Sequence, residues 1–304
     1  MEGMLMQKNL NTSILGTVCS QSEIIEQALT YKFKLIDIDI VEFANRAKTH
    51  GTSFARRLID SANIEISAFS LPFGVETDSD VFQQDLARLA DWVSVAGELG
   101  CKRCLMNVEP AGDRLPYHEN FSFHQERLDA VCRVLETQGI RLGVGFRAAA
   151  DLRTNRAFQF IHDLNALTML VKMVGASNIG LLIDVWDLFV SGGDLDSLRT
   201  LTAEEVVAVY LADAPADVSL ETLGETSRTL PEAEGRFNIP AALAALSEMG
   251  YDGPVSVKPH RDSLPTNGPD SIAKSLGESL DAVWQAAGLD AQGKLQSTPQ
   301  DVEA

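Results

Sequence analysis

The chain has 304 residues, 45% of them hydrophobic, and a formal net charge of −18. That length holds one large α/β domain or two medium ones, and an acidic surface of this size repels phosphate backbones, so nucleic acid is excluded as an expected partner. No apolar run approaches the roughly 18 residues of a membrane span, and "MEGMLMQKNLNTS" lacks the basic and apolar regions of a signal peptide. The cytoplasm is the expected location, with no membrane partner.

Short β-branched runs alternate along the chain with longer amphipathic stretches. The expected strands are "SILGTV" (13–18), "FKLIDIDI" (33–40), "IEISAF" (64–69), "RCLMNV" (103–108), "IRLGVGF" (140–146), "IGLLIDV" (179–185), "VVAVYLA" (206–212) and "PVSVK" (254–258). Continuous apolar runs of this length are how buried parallel strands read. Residues 82–99, 125–138 and 158–174 carry apolar side chains at helical spacing, and Gly100, Gly139 and Gly175 stand where those helices end. Eight strands with intervening helices predict a single-domain (β/α)8 TIM barrel over residues 11–287. Residues 1–10 read as an N-terminal extension, and the polar stretch 288–304 reads as a disordered tail. An open doubly wound sheet is the competing architecture, but no G-x-G-x-x-G or P-loop follows the first expected strand.

The four cysteines include Cys101 and Cys104 in a C-x-x-C with no second ligand pair, so they read as reduced structural thiols. His50, His118, His124 and His162 show no ligand spacing and read as surface residues. There is no G-x-S-x-G and no H-E-x-x-H.

Chemistry in a barrel collects where the strands end. Those ends supply Asp37 and Asp39, Asn107 and Glu109, Gly145 and Arg147, Asp184 and Asp187, Tyr210 and Asp213, and Lys258 and His260. Asp184 closes an apolar run, where an unpaired carboxylate is costly. Asp213, in "ADAPAD", is read equally as a site residue or a turn cap.

The segments "IGLLIDVWDLFVSGGDL", "VVAVYLADAPAD", "RTLPEAEGRFNIPAAL" and "GYDGPVSV" together resemble the sugar phosphate isomerase/epimerase family with the xylose isomerase-like TIM barrel. The resemblance covers about residues 10–287. It implies isomerase activity in carbohydrate metabolism and one divalent ion, Mn²⁺, Mg²⁺ or Co²⁺. The implied ligands are a Glu ending strand five, an Asp ending strand six, a His on strand seven and a Glu ending strand eight. The two glutamates also move protons, a His three residues after the Asp contacts substrate, and an Arg after strand seven helps hold it.

Most of that set is replaced here. Gly145 stands for the first Glu, Tyr210 for the His and Lys258 for the second Glu, while Asp184 is kept. The D-x-x-H reads Asp184-Val-Trp-Asp187, and the Arg is matched by Arg228, although the family's "PGEG" reads "PEAEG". One ligand of four does not hold a hard divalent ion, so the metal is expected to be absent and no cofactor is expected. The Lys258 ammonium is expected to take part of the ion's place and to pair with Asp184, with Arg147 adding to it.

Two functional readings follow. In one, the barrel acts on a small sugar, polyol or sugar phosphate. Lys258, Asp184 and Asp187 are then the catalytic candidates, and Arg228, Arg147, Asn107, Glu109, Tyr210 and His260 the substrate-binding ones. In the other, it is an inactive relative that binds a ligand or scaffolds a partner. A homo-oligomer is a candidate assembly in either.

Overall fold

The computed structural model describes residues 6–16 and 19–296. Eight parallel strands form a closed barrel in which every strand pairs with its neighbours in sequence. They are β1 (Gln7–Leu10), β2 (Leu35–Ile38), β3 (Glu65–Ser70), β4 (Arg103–Asn107), β5 (Arg141–Gly145), β6 (Ile179–Asp184), β7 (Val206–Leu211) and β8 (Pro254–Val257). The barrel closes where Gln7 of β1 aligns with Pro254 of β8. Strands β6 and β7 are buried along their whole length, which is why they read as unbroken apolar runs.

Helices cover the barrel. The helix Ser79–Glu98 buries Phe82, Leu89, Val93 and Ala96 on one face, and Tyr117–Glu136 buries Leu128, Val131, Cys132 and Leu135. Inside the strands lies a smaller cluster of Ala68, Leu105, Leu182, Val207, Ala208 and Tyr210. This apolar plug leaves the carboxyl ends of the strands as the place where polar groups gather. Cys101 and Cys104 are buried, and burial pushes the Cys101 thiol up to about 12. Among the described residues, no helix is long and apolar enough to cross a membrane.

Three segments differ from the sequence reading. The first strand is Gln7–Leu10, inside the stretch expected to be an extension. Ser13 and Ile14 of "SILGTV", with Thr12 before them, form a 3-10 turn, and Thr17 and Val18 lie outside the described residues. β1 was disguised because it is mostly polar, with Lys8 and Asn9 held by partners distant in sequence. Lys8 pairs with Asp281, and Asn9 donates to Ser256 Oγ at 2.7 Å and to Asp37 Oδ1 at 2.9 Å. The expected helix 158–174 begins only at Leu164, capped by Asp163, while Phe158–Gln159 pairs with Ala111–Gly112 in a small antiparallel ladder.

The third difference is the C-terminus. After the helix Pro269–Ala286, the chain folds back rather than leaving the surface. Leu289 is buried and bridges to Leu295, and Trp284 Nε1 donates to the Asp290 carbonyl at 2.8 Å. Residues 297–304 lie outside the described residues. Leu289→Ala is therefore expected to lower unfolding free energy by about 2–4 kcal/mol in urea titration, the range for truncating a buried leucine. An unpacked tail would give a change within roughly 0.5 kcal/mol of zero.

Candidate functional site

Strand β6 ends at Asp184, and this residue also caps the next helix, Val185–Val190, by accepting from Trp186 N at 3.0 Å. One turn on, Asp187 accepts from Ala148 N at 2.6 Å. Both carboxylates face the guanidinium of Arg228. Arg228 Nη1 lies 2.8 Å from Asp184 Oδ2 and Nη2 lies 2.5 Å from Asp187 Oδ2. All three are buried, at 5% exposure for Arg228 and Asp184 and 2% for Asp187. The guanidinium also stacks on Trp186, 4.2 Å from the ring. A planar, delocalised cation with several fixed donors suits a site with two acceptors at an angle.

The charges continue outward in alternation. Arg228 Nε reaches Glu225 Oε2 at 3.3 Å, and Glu225 Oε2 is 3.3 Å from Arg147 Nη2, whose Nη1 is 3.2 Å from Glu109. Burial would lower the ionisation of Arg228, but Asp184, Asp187 and Glu225 outweigh it and raise its pKa. Burial pushes the Asp187 carboxyl up, and Asp184 beside it adds to the rise against the pull of Arg228. For Glu225, burial is outweighed by Arg228 and Arg147, which hold its carboxyl below the usual range.

This array forms one side of a cavity of about 450 Å³ at the carboxyl ends of the strands, whose lining includes Asn107, Glu109, Arg147, Glu225, Arg228 and Lys258. Leu71, Phe73, Val75, Leu105 and Met106 give it apolar walls. Lys258 follows β8 and is part-buried. Its Nζ lies 4.4 Å from the centre of the Tyr210 ring, which rises from the barrel interior. Among the described residues Lys258 makes no ion pair, so the expected pairing with Asp184 is replaced by Arg228. Burial pushes the Lys258 ammonium below the usual lysine range, partly offset by Asp184. Arg147, expected beside Asp184, pairs with Glu109 and Glu225 instead.

The remaining strand-end residues separate by role. Asp37 accepts from Asn9, and burial pushes its carboxyl up to about 7. Asp39 caps the helix Ile40–His50 through Val41 N and Glu42 N. Asp213 accepts from Ala214 N at 2.8 Å and Phe237 N at 3.0 Å, pinning the loop that carries Arg228. Gly235 of "PEAEG" packs so closely on that carboxylate that a Cβ would lie 1.7 Å from Asp213 Oδ2. His260 does not join the cavity lining. It caps the turn Arg261–Ser263, its ring nitrogen accepting from Asp262 N.

Two residues escaped the sequence reading. His124, expected at the surface, is fully buried against Phe160 and lines the cavity. Its Nδ1 donates to the Asn120 carbonyl at 2.9 Å, which leaves Nε2 facing Glu76 at 3.3 Å. Its position inside the apolar face of a helix, beside Leu128 and Val131, was the available signal. For Glu225 the only signal was its place three residues before Arg228, a spacing that brings side chains together on a tight turn.

The positions that the resemblance assigns to a metal form no donor set. Both Asp184 oxygens accept from protein donors. A Cβ on Gly145 would lie 2.2 Å from Asn107 Oδ1, so the asparagine amide fills the space of a strand-five glutamate. Tyr210 and Lys258 hold the other two positions. Among the described residues, no group of three or more His, Cys, Asp or Glu side chains could hold a metal ion.

Comparison with known proteins gives the lineage. The 3-dehydroshikimate dehydratase of Pseudomonas aeruginosa is 24% identical over 267 residues, which is 85% of this chain and 39% of that protein. The inosose isomerase of Bacillus velezensis is 25% identical over 158 residues, 52% of this chain and 53% of that protein. The chain thus spans about half the length, or less, of these curated relatives. A xylose isomerase domain protein of Alicyclobacillus acidocaldarius superposes with a TM-score of 0.83 at 23% identity, covering 93% of this chain and 99% of that one. The IOLI protein with a bound zinc atom gives 0.77 at 16% identity, covering 92% and 99%. At these identities the two structures establish the shared fold. The family model described as xylose isomerase-like TIM barrel matches residues 25–282, and the chain belongs to that family.

Proposed function

We propose that the chain binds a small, neutral, polyhydroxylated molecule in the cavity beside Lys258, and acts on it without a resident divalent ion. Arg228 is the observation that carries this reading. Its guanidinium lies between Asp184 and Asp187, so the positive charge that an ion would supply to these carboxylates is already present. Gly145, Tyr210 and Lys258 offer no replacement ligands, and the donor set does not fit a hard cation.

The lining favours a sugar or polyol over a sugar phosphate. Glu76, Glu109 and Glu225 face Arg147, Arg228 and Lys258. Arg228 is further committed to two carboxylates beneath the surface, so no positive charge is in surplus for a dianion. The cavity falls within the size range of small-molecule sites. Relatives named for an isomerase of inosose and a dehydratase of 3-dehydroshikimate support a small-molecule enzyme. Lys258 is the reactive group in this reading. Asp184 and Asp187, expected as catalytic candidates beside it, position Arg228 in this reading. A second reading, a binding protein without turnover, draws on Gly145 and Lys258. Neither position that the family uses for a proton-moving glutamate carries a carboxylate here.

A thermal-shift screen of pentoses, hexoses, inositols and their phosphates tests the proposal. Neutral compounds are expected to raise Tm in the wild type and less so in Lys258→Met, while phosphates gain nothing over their parent compounds. The absence of any stabilising compound would sink the ligand assignment. Elemental analysis of the purified protein is expected to find no stoichiometric Mn, Co, Zn or Mg, and EDTA is expected to leave Tm unchanged. One tightly held ion per chain would overturn the metal-free reading.

Arg228→Met leaves two buried carboxylates without a cation. It is expected to cost about 3–5 kcal/mol of stability, with partial recovery when Asp184→Asn and Asp187→Asn are added. Full stability in the single variant would contradict the central role of the guanidinium.

Asp37 gives a pH prediction. Its folded pKa, about 7, lies above the ordinary value of 3.8. The folded state therefore binds this proton more tightly than the unfolded one. The stabilising contribution is complete below the unfolded pKa and is lost as pH rises through about 7. Asp37→Asn keeps an oxygen acceptor for Asn9 and removes the titration. Its Tm relative to wild type is expected to be higher at pH 8 than at pH 5, and an equal difference at both would refute the assignment.

A further inference from the structure

We propose that Lys258 is a carbonyl-trapping amine, whose Nζ condenses with the keto or aldehyde group of an open-chain sugar held in the cavity to form an imine. The inference rests on the ligand reading above and adds to it a covalent step. Most lysines near carboxylates are held as ammonium by a direct ion pair, and an ammonium has no lone pair to attack a carbonyl. Here the two strongest candidate partners, Asp184 and Asp187, are bound to Arg228 instead. Glu225 and Glu109 are in turn bound to Arg147. The alternating array thus uses its carboxylates on arginines, which do not lose protons, and leaves the one cavity lysine without an ion pair among the described residues.

The surroundings favour a neutral amine before reaction and a cation after it. Leu71, Phe73, Leu105 and Met106 limit hydration around the cavity, and a desolvated lysine next to another cation is a known route to a nucleophilic amine. Once an imine forms and takes up a proton, the new positive charge remains on a nitrogen whose parent amine sits over the Tyr210 face, 4.4 Å from its centre. The ring attracts that charge. The same tyrosine is buried in the barrel interior, while Lys258 lines the cavity.

The chemistry balances without an oxidant or reductant. The amine nitrogen adds to the carbonyl carbon, the C=O π bond breaks, and proton transfer gives a carbinolamine. The C–O bond then breaks, a C=N bond forms, and the oxygen leaves as water with two hydrogens that were on the amine. The protonated imine withdraws electrons from the adjacent carbon and acidifies its C–H bond. That is the electronic demand of isomerisation or dehydration next to a carbonyl, met by a covalent cation.

The test is reductive trapping on the full chain. The protein is incubated with dihydroxyacetone or D-erythrulose, treated with sodium borohydride, and examined by intact-mass and peptide mass spectrometry. A single adduct at Lys258 is expected, absent without ketose and absent in Lys258→Arg, whose Tm confirms folding. Adducts distributed by exposure over Lys32, Lys172 and Lys274, or none at Lys258, would overturn the proposal. Sorbitol and inositol, which have no carbonyl, report on the cavity separately. If they raise Tm while no Lys258 adduct forms, the imine step fails and the ligand reading stands. If neither signal is seen, both fail.

Discussion

The guanidinium of Arg228 is shared between Asp184 and Asp187 in a place that water barely reaches. Two carboxylates at 5% and 2% exposure would be very costly without a cation, and a buried arginine would be equally costly without anions. Each makes the other tolerable, and the geometry is closed further by Trp186 behind the guanidinium and by Ala148 N on Asp187. The loop after β7 must therefore return to the barrel mouth, where Asp213 and Gly235 hold it. The rest of the cavity's charge pattern follows outward from this contact through Glu225, Arg147 and Glu109.

This arrangement also determines what kind of site the barrel mouth is. Cations and anions alternate across the mouth, from Asp187 and Asp184 through Arg228, Glu225 and Arg147 to Glu109. Lys258 stands apart from the array. It is placed by β8 and by the Tyr210 ring rather than by an ion pair, so its proton is held less firmly than its position among so many carboxylates suggests.

Much of the architecture was legible because buried parallel strands and amphipathic helices write strong periodic signals. Seven of the eight expected strands lie on observed barrel strands. The first failed because β1 is mostly polar and gets its place from contacts, Lys8 to Asp281 and Asn9 to Ser256, that no local pattern reveals. The C-terminal segment failed for a related reason. Its composition is that of an unfolded tail, but Leu289 and Leu295 find each other across a turn. At the site, the strand-end residues were identifiable by position, while His124 and Glu225 were not, since one is hidden in a helix face and the other in a loop.

By itself the sequence determined the closed barrel and the placement of polar residues, Asp184 and Lys258 among them, at the carboxyl ends of its strands. These are matters of residue type and period, which local reading captures. Only the tertiary structure decided which cation meets which carboxylate. Lys258, at a strand end, was the partner expected for Asp184, yet the pairing depends on where the loop after β7 lands and on which side chain has the reach and the fork of donors to bridge two acids. Arg228 has both, and Lys258 is left to the ring of Tyr210 and the open cavity.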